Sequence, residues 1–226
     1  MSATIESMVV PPVALPHYWT LADLQGHLGG VPLDRIRLFP PLGTATVEDA
    51  LNVAAREDRL CELVDGVLVE KTMASYESIL AGILIYLLNA YLEKDARGVV
   101  LAPDGMLRIL PTKMRIPDVS FISWDRFPGR KLPRERVYSV VPDLVVEVIS
   151  EGNTDAEMNL KLDEYFQAGV RLVWYIEPRS RTARIFTARD QVNAIDEQGF
   201  LEGRDVLPDF QLPLGELFER VPIGAN

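Results

Sequence analysis

The sequence predicts an α/β (α+β) fold in which helices pack against a mixed sheet, and three features predict it. Tyr76 to Lys94 carries Ile79, Ile83, Leu87 and Tyr91 at four-residue intervals. Leu80, Leu84 and Leu88 widen that stripe, as expected of a helix buried on a broad face. Leu144 to Ile149 is a nearly continuous apolar run with one carboxylate, Glu147, inside it, the pattern of a central strand. Beyond the N-terminal part, apolar runs and helical patterns follow in the order helix, strand, strand, strand, helix, strand, which sets helices against a mixed sheet.

Taken in order, residues 1 to about 18 are Pro-rich and aperiodic (Pro11-Pro12, Pro16) and read as an extended arm. Thr20-Leu21-Ala22-Asp23-Leu24 begins a capped short helix ending at Gly29-Gly30, and Pro40-Pro41 then breaks the chain. The expected organisation is therefore an N-terminal arm and short helix over 1–45 and one main domain over 46–226. Thr46-Val47-Glu48-Asp49 opens a second helix that runs through Ala50 to Glu57. Asp65-Gly66 between two short apolar runs signals a hairpin. Gly98 to Ala102 and Met106 to Leu110, separated by Pro103-Asp104-Gly105, are expected to form another. Val119 to Ser123 is a strand entered from Pro117. Thr154-Asp155-Ala156-Glu157 fits a capping box for a helix that stops at Ala168-Gly169. Val170 to Ile176 and Ala183 to Thr187 read as strands, and the remainder, with Pro208 and Pro213, as a turn-rich edge.

Composition bounds the function. With 48% apolar residues among 226, the chain can bury a sizeable core. Its one cysteine, Cys61, excludes an internal disulfide framework and suits a reducing compartment. The first fifteen residues hold Glu6 but no Lys or Arg, so a secretory signal is not expected. The uncharged stretch between Glu77 and Glu93 is fifteen residues long, short of the roughly 20 a bilayer needs. A cytoplasmic protein without membrane association is expected. Net charge is −10, with a pI near 4.8, so the chain lacks the overall basic surface that releases counterions from nucleic acid. Any such contact has to use a local patch. The segment 125–136 is the one candidate, with five basic and two acidic side chains, although such loops are more often simply solvated. Its Arg126, Arg130, Lys131 and Arg134 are the candidate phosphate contacts.

The carboxylates carry the chemistry. Alternation in the central strand puts Val145, Glu147 and Ile149 on one face and Leu144, Val146 and Val148 on the other. An ionised Glu there is costly unless it is paired or binds a metal. Asp118 starts the strand after Pro117, and two acids from neighbouring strands can converge on one Mg²⁺. Such an ion activates water and stabilises charge on a phosphate. Separately, Asp118 could be a turn carboxylate and Glu147 a strand-end partner of an arginine such as Arg171; together, in this strand order, the metal reading is preferred. Lys161, three residues after Met158 and four before Tyr165, can lean toward the sheet and orient a water. Taken alone, a solvated lysine paired with Glu157 is the simpler reading. Glu77 is either a complement to its helix dipole, slightly preferred, or an outer acid that holds metal-bound water. Asp65 reads as turn chemistry, and Glu62 sits beside it in the hairpin. His17 and His27 lack ligand spacing, so zinc is not expected. The sequence has no Gly-rich phosphate loop, nucleophile elbow or paired cysteines.

Glu62-Leu63-Val64-Asp65-Gly66, Arg115-Ile116-Pro117-Asp118-Val119 and Pro142-Asp143-Leu144-Val145-Val146-Glu147-Val148-Ile149-Ser150 resemble the Uma-two family. So do Lys161-Leu162-Asp163-Glu164-Tyr165 and Gly169-Val170-Arg171-Leu172-Val173-Trp174, and the likeness runs from about residue 45 to 218. That family is assigned to the PD-(D/E)XK nucleases as restriction endonucleases. The resemblance implies a restriction-endonuclease-like mixed sheet flanked by helices, with an N-terminal helical extension and extra hairpins. It places Asp118 at the Pro-Asp aspartate and Glu147 at the acid of the Glu-x-Lys signature. The lysine of that signature is absent, because Ile149 stands there, and Lys161 on the following helix is the implied replacement. Glu77 falls where the first core helix often supplies an acid, although Tyr76-Glu77 stand where many members carry a histidine. Mg²⁺ or Mn²⁺ as cofactor, held by Asp118, Glu147 and the Val148 carbonyl, DNA as substrate and a homodimer are likewise implied. The expected function is metal-dependent hydrolysis of DNA phosphodiester bonds. A catalytically silent nuclease-fold module for binding or dimerisation is the competing expectation, favoured by the acidic charge and the displaced lysine.

Overall fold

In the computed structural model, which describes residues 13–72 and 74–221, threonine capping boxes start the first two helices. Residues 1–12 of the expected arm, Pro11-Pro12 included, lie outside the described residues. In α1 (Leu21–His27) Thr20 Oγ1 accepts from the Asp23 amide, and the Asp23 carboxylate accepts from the Thr20 amide. Thr46 and Asp49 repeat the arrangement in α2 (Val47–Glu57). Past α1 the chain turns through Gly29 and Gly30 at φ +78° and +70°. A Cβ on Gly29 would lie 2.6 Å from the Glu157 Cα, so only glycine allows that approach.

β1 (Cys61–Val64) and β2 (Val67–Glu70) form the expected hairpin, turning at Asp65 and Gly66 with φ +48° and +75°, the left-handed pair a two-residue hairpin needs. α3 (Ser75–Leu92) follows. Its buried stripe, Leu80, Ala81, Leu84, Leu88 and Leu92, is narrower than expected, and Ile79 and Tyr86 are exposed. By length and composition α3 could cross a membrane; its buried stripe packs on the sheet described below.

The second expected hairpin does not form. β3 (Gly98–Leu101) pairs with β6 (Val119–Ser123), whereas β4 (Leu107–Leu110) pairs with β5 (Lys113–Arg115). The turn signal at Pro103-Asp104-Gly105 divides strands that enter different sheets. β5, with two charged residues in three, carries no apolar pattern to announce it. β7 (Leu144–Val148), α4 (Asp155–Ala168) and β8 (Leu172–Glu177) make one crossover unit with parallel strands. α4 ends at Gly169 with φ +99°. The turn-rich edge is more regular than expected: β9 (Thr182–Ala188), β10 (Gln191–Ile195), β11 (Phe200–Glu202), β12 (Gln211–Pro213) and α5 (Leu214–Glu219) follow. Exposed β10 has no buried face and hence no alternation to read.

The strands form a six-stranded sheet in the order β10-β9-β8-β7-β6-β3, a four-stranded sheet β2-β1-β5-β4, and the pair β11-β12. α3 and α5 cover one face of the large sheet against Val119, Phe121, Leu144, Val146, Val148 and Trp174. α4 covers the other through Met158, Leu162 and Tyr165 against Ile122, Val145, Val173 and Tyr175. The alternation read from Leu144 to Ile149 is thus the one observed. Leu24, Leu28, Val31 and Ile36 of the N-terminal segment pack on Val64, Val67 and Val69 of the first hairpin. Between β5 and β6, Ile116-Pro117-Asp118 carries the chain from the small sheet into the large one.

Leu84, fully buried between α3 and the large sheet, tests this packing. Leu84→Ala should destabilise the fold by about 2 to 5 kcal/mol, read as a lower urea midpoint at unchanged slope.

Candidate metal centre

Asp118 lies where the two sheets meet, and its position follows from strand pairing. The β6–β7 ladder ends at Val119↔Val146, which leaves the Val148 amide without a β6 backbone partner. The Asp118 carboxylate replaces that partner, and its Oδ2 accepts from Val148 N at 2.7 Å. Glu147, one residue earlier on β7, points to the opposite face, toward α4. There its Oε1 accepts from the Tyr165 hydroxyl and from Lys161 Nζ, the latter at 3.4 Å. Glu147 Oε2 takes no hydrogen bond from the described residues.

Lys161 is not the solvated partner of Glu157. It is buried, its Nζ lies 3.1 Å from Glu62 Oε1, and Glu157 is instead held by Arg35 through two bonds of 2.8 and 2.9 Å. The expected capping box at Thr154 is therefore half built: Thr154 Oγ1 accepts from the Glu157 amide, but the Glu157 carboxylate is committed to Arg35. Nor does Glu147 pair with Arg171, which reaches Asp205 and, at 3.7 Å, Asp143.

Burial pushes the Glu147 carboxyl above its ordinary range; Lys161 opposes the shift and Asp118 adds to it. For Lys161, burial alone would favour the neutral amine, but Glu147 and Glu62 outweigh it and hold the ammonium well above its usual value. Burial would likewise raise Glu62, yet Lys161 and Arg115 keep it ionised far below the normal carboxylate range. Glu62 also accepts from Arg115 at 2.7 Å and from the Ile116 amide at 3.1 Å.

Asp118, Glu147, Val148, Lys161 and Glu77 all line one polar cavity of about 10 Å³, room for a water or a small ion. Glu77 lies in the first turn of α3, as the dipole reading requires, and its Oε2 is buried there without a hydrogen-bond partner among the described residues. The cavity adjoins an open cleft of about 500 Å³ that shares Thr72, Glu77 and Ser150 with it. Two charged residues that sequence reasoning passed over also line the cavity, beside Asn153. Lys71, directly after β2, sets its Nζ 2.9 Å from Asp118 Oδ1, and Arg35 enters from the N-terminal segment. No motif marked either one. Glu62 left a weak trace as a charged residue inside a strand.

Among the described residues, no group of three or more His, Cys, Asp or Glu side chains is placed to hold a metal by itself. The donors present are nonetheless oxygens of the kind hard cations take. Mg²⁺ commonly binds through one or two carboxylates and retains waters, and the partnerless Glu77 Oε2 has an open place for one. The residues fit a small divalent ion.

The basic loop does not reach this centre. Asp118 and Glu147 lie at one end of the β6–β7 pair, whereas Arg126 and Arg130 follow the other end of β6. Arg126 is held there by Asp143 and by the Gly169 carbonyl. Arg130, Lys131 and Arg134 are exposed.

Comparison with known proteins agrees with this architecture. No curated protein matches the chain. A crystal structure of a "putative nuclease belonging to DUF820" from Anabaena variabilis superposes with a TM-score of 0.63 at 15% identity, covering 72% of this chain and 91% of that one. The likeness shows a shared fold, with the mixed sheet and flanking helices expected from the sequence. The profile described as Uma2, "Putative restriction endonuclease", matches residues 47–215, from the start of α2 into α5 and across every carboxylate of the centre. With three quarters of its length matched in this way, the chain belongs to the Uma2 family.

Proposed function

We propose that the protein is a Mg²⁺- or Mn²⁺-dependent endonuclease that hydrolyses phosphodiester bonds in DNA. One observation carries the reading: Asp118, just before β6, and Glu147, on neighbouring β7, face a single buried cavity beside an open cleft, with the Lys161 ammonium on Glu147. The family description and the nuclease-fold neighbour support it.

Asp118, Glu147 and the Val148 carbonyl would hold the cation. A bound divalent ion supplies positive charge for the phosphate and makes water more acidic. Tyr165 fixes the Glu147 carboxylate by its hydroxyl, and Val148 N fixes Asp118. With its Nζ set between Glu147 and Glu62, Lys161 is placed to orient water and stabilise developing charge. In the net reaction one water is consumed, a P–O ester bond breaks, and a phosphate monoester and a hydroxyl end remain. With a net charge of −10, binding draws on contacts inside the cleft more than on the protein's overall field.

One observation favours the second reading, a catalytically silent binding or dimerisation module: Lys71 already neutralises Asp118. Calorimetry separates the two. Mn²⁺ should bind the wild type and bind Asp118→Ala and Glu147→Ala about tenfold more weakly or worse; equal affinity in all three defeats the metal centre.

Plasmid nicking tests the chemistry. Cleavage should require the added metal and fall about 100-fold in Lys161→Ala, with thermal melts confirming that the variant is folded. Metal-independent nicking contradicts the metal dependence, and no nicking by the wild type contradicts the nuclease reading.

A further inference from the structure

Three cationic side chains line the cavity, and they are not equally committed. Arg35 is fully engaged: both terminal nitrogens are on Glu157 and Nε donates to the Glu70 carbonyl. Lys161 is pinned between two carboxylates, Glu62 and Glu147, so leaving its place breaks two ion pairs. Lys71 has one carboxylate, Asp118, and the Ile116 carbonyl beside it.

The pairing on Asp118 is restrictive. Its Oδ2 is held by the Val148 amide, so Oδ1 is the oxygen left for a cation, and Lys71 Nζ occupies it at 2.9 Å. An ammonium and a divalent ion on one buried carboxylate oxygen repel each other strongly, because little water screens them. To leave Asp118, Lys71 gives up one ion pair and its hydrogen bond to the Ile116 carbonyl, fewer charged partners than Lys161 would lose. The Lys71 backbone is anchored through its amide to the Leu60 carbonyl at 2.8 Å, so movement is confined to the flexible side chain. Lys71 lines the cavity, which shares Thr72, Glu77 and Ser150 with the 500 Å³ cleft, so the space its Nζ occupies adjoins the cleft.

We propose that Lys71 is a built-in counter-cation: in the metal-free protein it neutralises Asp118, and when a divalent ion takes Asp118 the released ammonium turns to the substrate phosphate in the cleft. The inference rests on the metal-centre reading above. It gives the Lys71–Asp118 contact a role within an active enzyme, where the silent-module reading treats it as a permanent block.

Two measurements test it. In calorimetric Mn²⁺ titrations, Lys71→Gln should bind the ion about tenfold more tightly than wild type, since the competing charge is gone, while plasmid nicking falls about 100-fold. Tighter metal binding with weaker cleavage is a combination that structural damage does not produce. The second measurement uses the unaltered protein, so it decides the matter even where the variant does not fold. Acetic anhydride labelling read by mass spectrometry should show Lys71 modified faster with Mn²⁺ present and Lys161 unchanged. Labelling of Lys71 that Mn²⁺ leaves unaltered overturns the proposal, as does a folded Lys71→Gln whose Mn²⁺ affinity equals or falls below that of wild type. A wild type that binds no Mn²⁺ is a different failure, seen without any variant, and removes the metal centre itself.

Discussion

The buried carboxylate of Glu62 holds three parts of the molecule to one point. It accepts from Arg115 on β5, from the Ile116 amide where the chain leaves the small sheet, and from Lys161 on α4. A charge removed from water at such depth is tolerated only when its partners are close and well directed, and removing one partner strands the other. Glu62 therefore constrains where α4 sits over the large sheet and how the chain enters β6. Both constraints converge on the cavity, because Asp118 immediately precedes β6 and Lys161 belongs to α4.

From Glu62 the ionic contacts continue outward. Arg115 also pairs with Glu164, Glu164 with Lys113 and Lys113 with Asp65, and Asp65 shares a hydrogen bond with His27 in the N-terminal segment. The same segment grips the start of α4 at a second place, where Arg35 holds Glu157 and the Gly29 carbonyl accepts from Thr154 Oγ1. Residues before the region shared with the family thus brace the helix that carries Lys161 and Tyr165. The N-terminal segment also reaches the candidate site itself, where Arg35 lines the cavity.

The cavity is unusual for the balance of its charges. Glu77, Asp118 and Glu147 face it against Lys71 and Lys161, with Arg35 already spent on Glu157 and Lys161 shared with Glu62. The lining is thus matched, three carboxylates against three cations, while the chain as a whole is acidic. Under the proposed function, a nucleic acid would not be drawn in by the protein's general field, and its recognition would rest on short-range contacts. The one basic segment noticed in the sequence stands at the far end of the β6–β7 pair, with Arg126 tied to Asp143.

Periodicity and capping are local properties, and these the sequence determined by itself. The alternation through Leu144–Val148 placed Glu147 on the α4 face, Thr20 and Thr46 began their helices, and Asp65-Gly66 made its turn. The ordered motifs also located Asp118, Glu147 and Lys161, because each motif is a short contiguous string. The tertiary structure alone decided what neutralises those groups. Lys71 and Asp118 are 47 positions apart, Arg35 and Glu157 122, and no spacing rule connects residues that meet only after two sheets join. For the same reason β3 and β4, adjacent in sequence and separated by a good turn, part into different sheets: strand pairing is settled by which apolar faces find a shared core, and a turn signal does not carry that information.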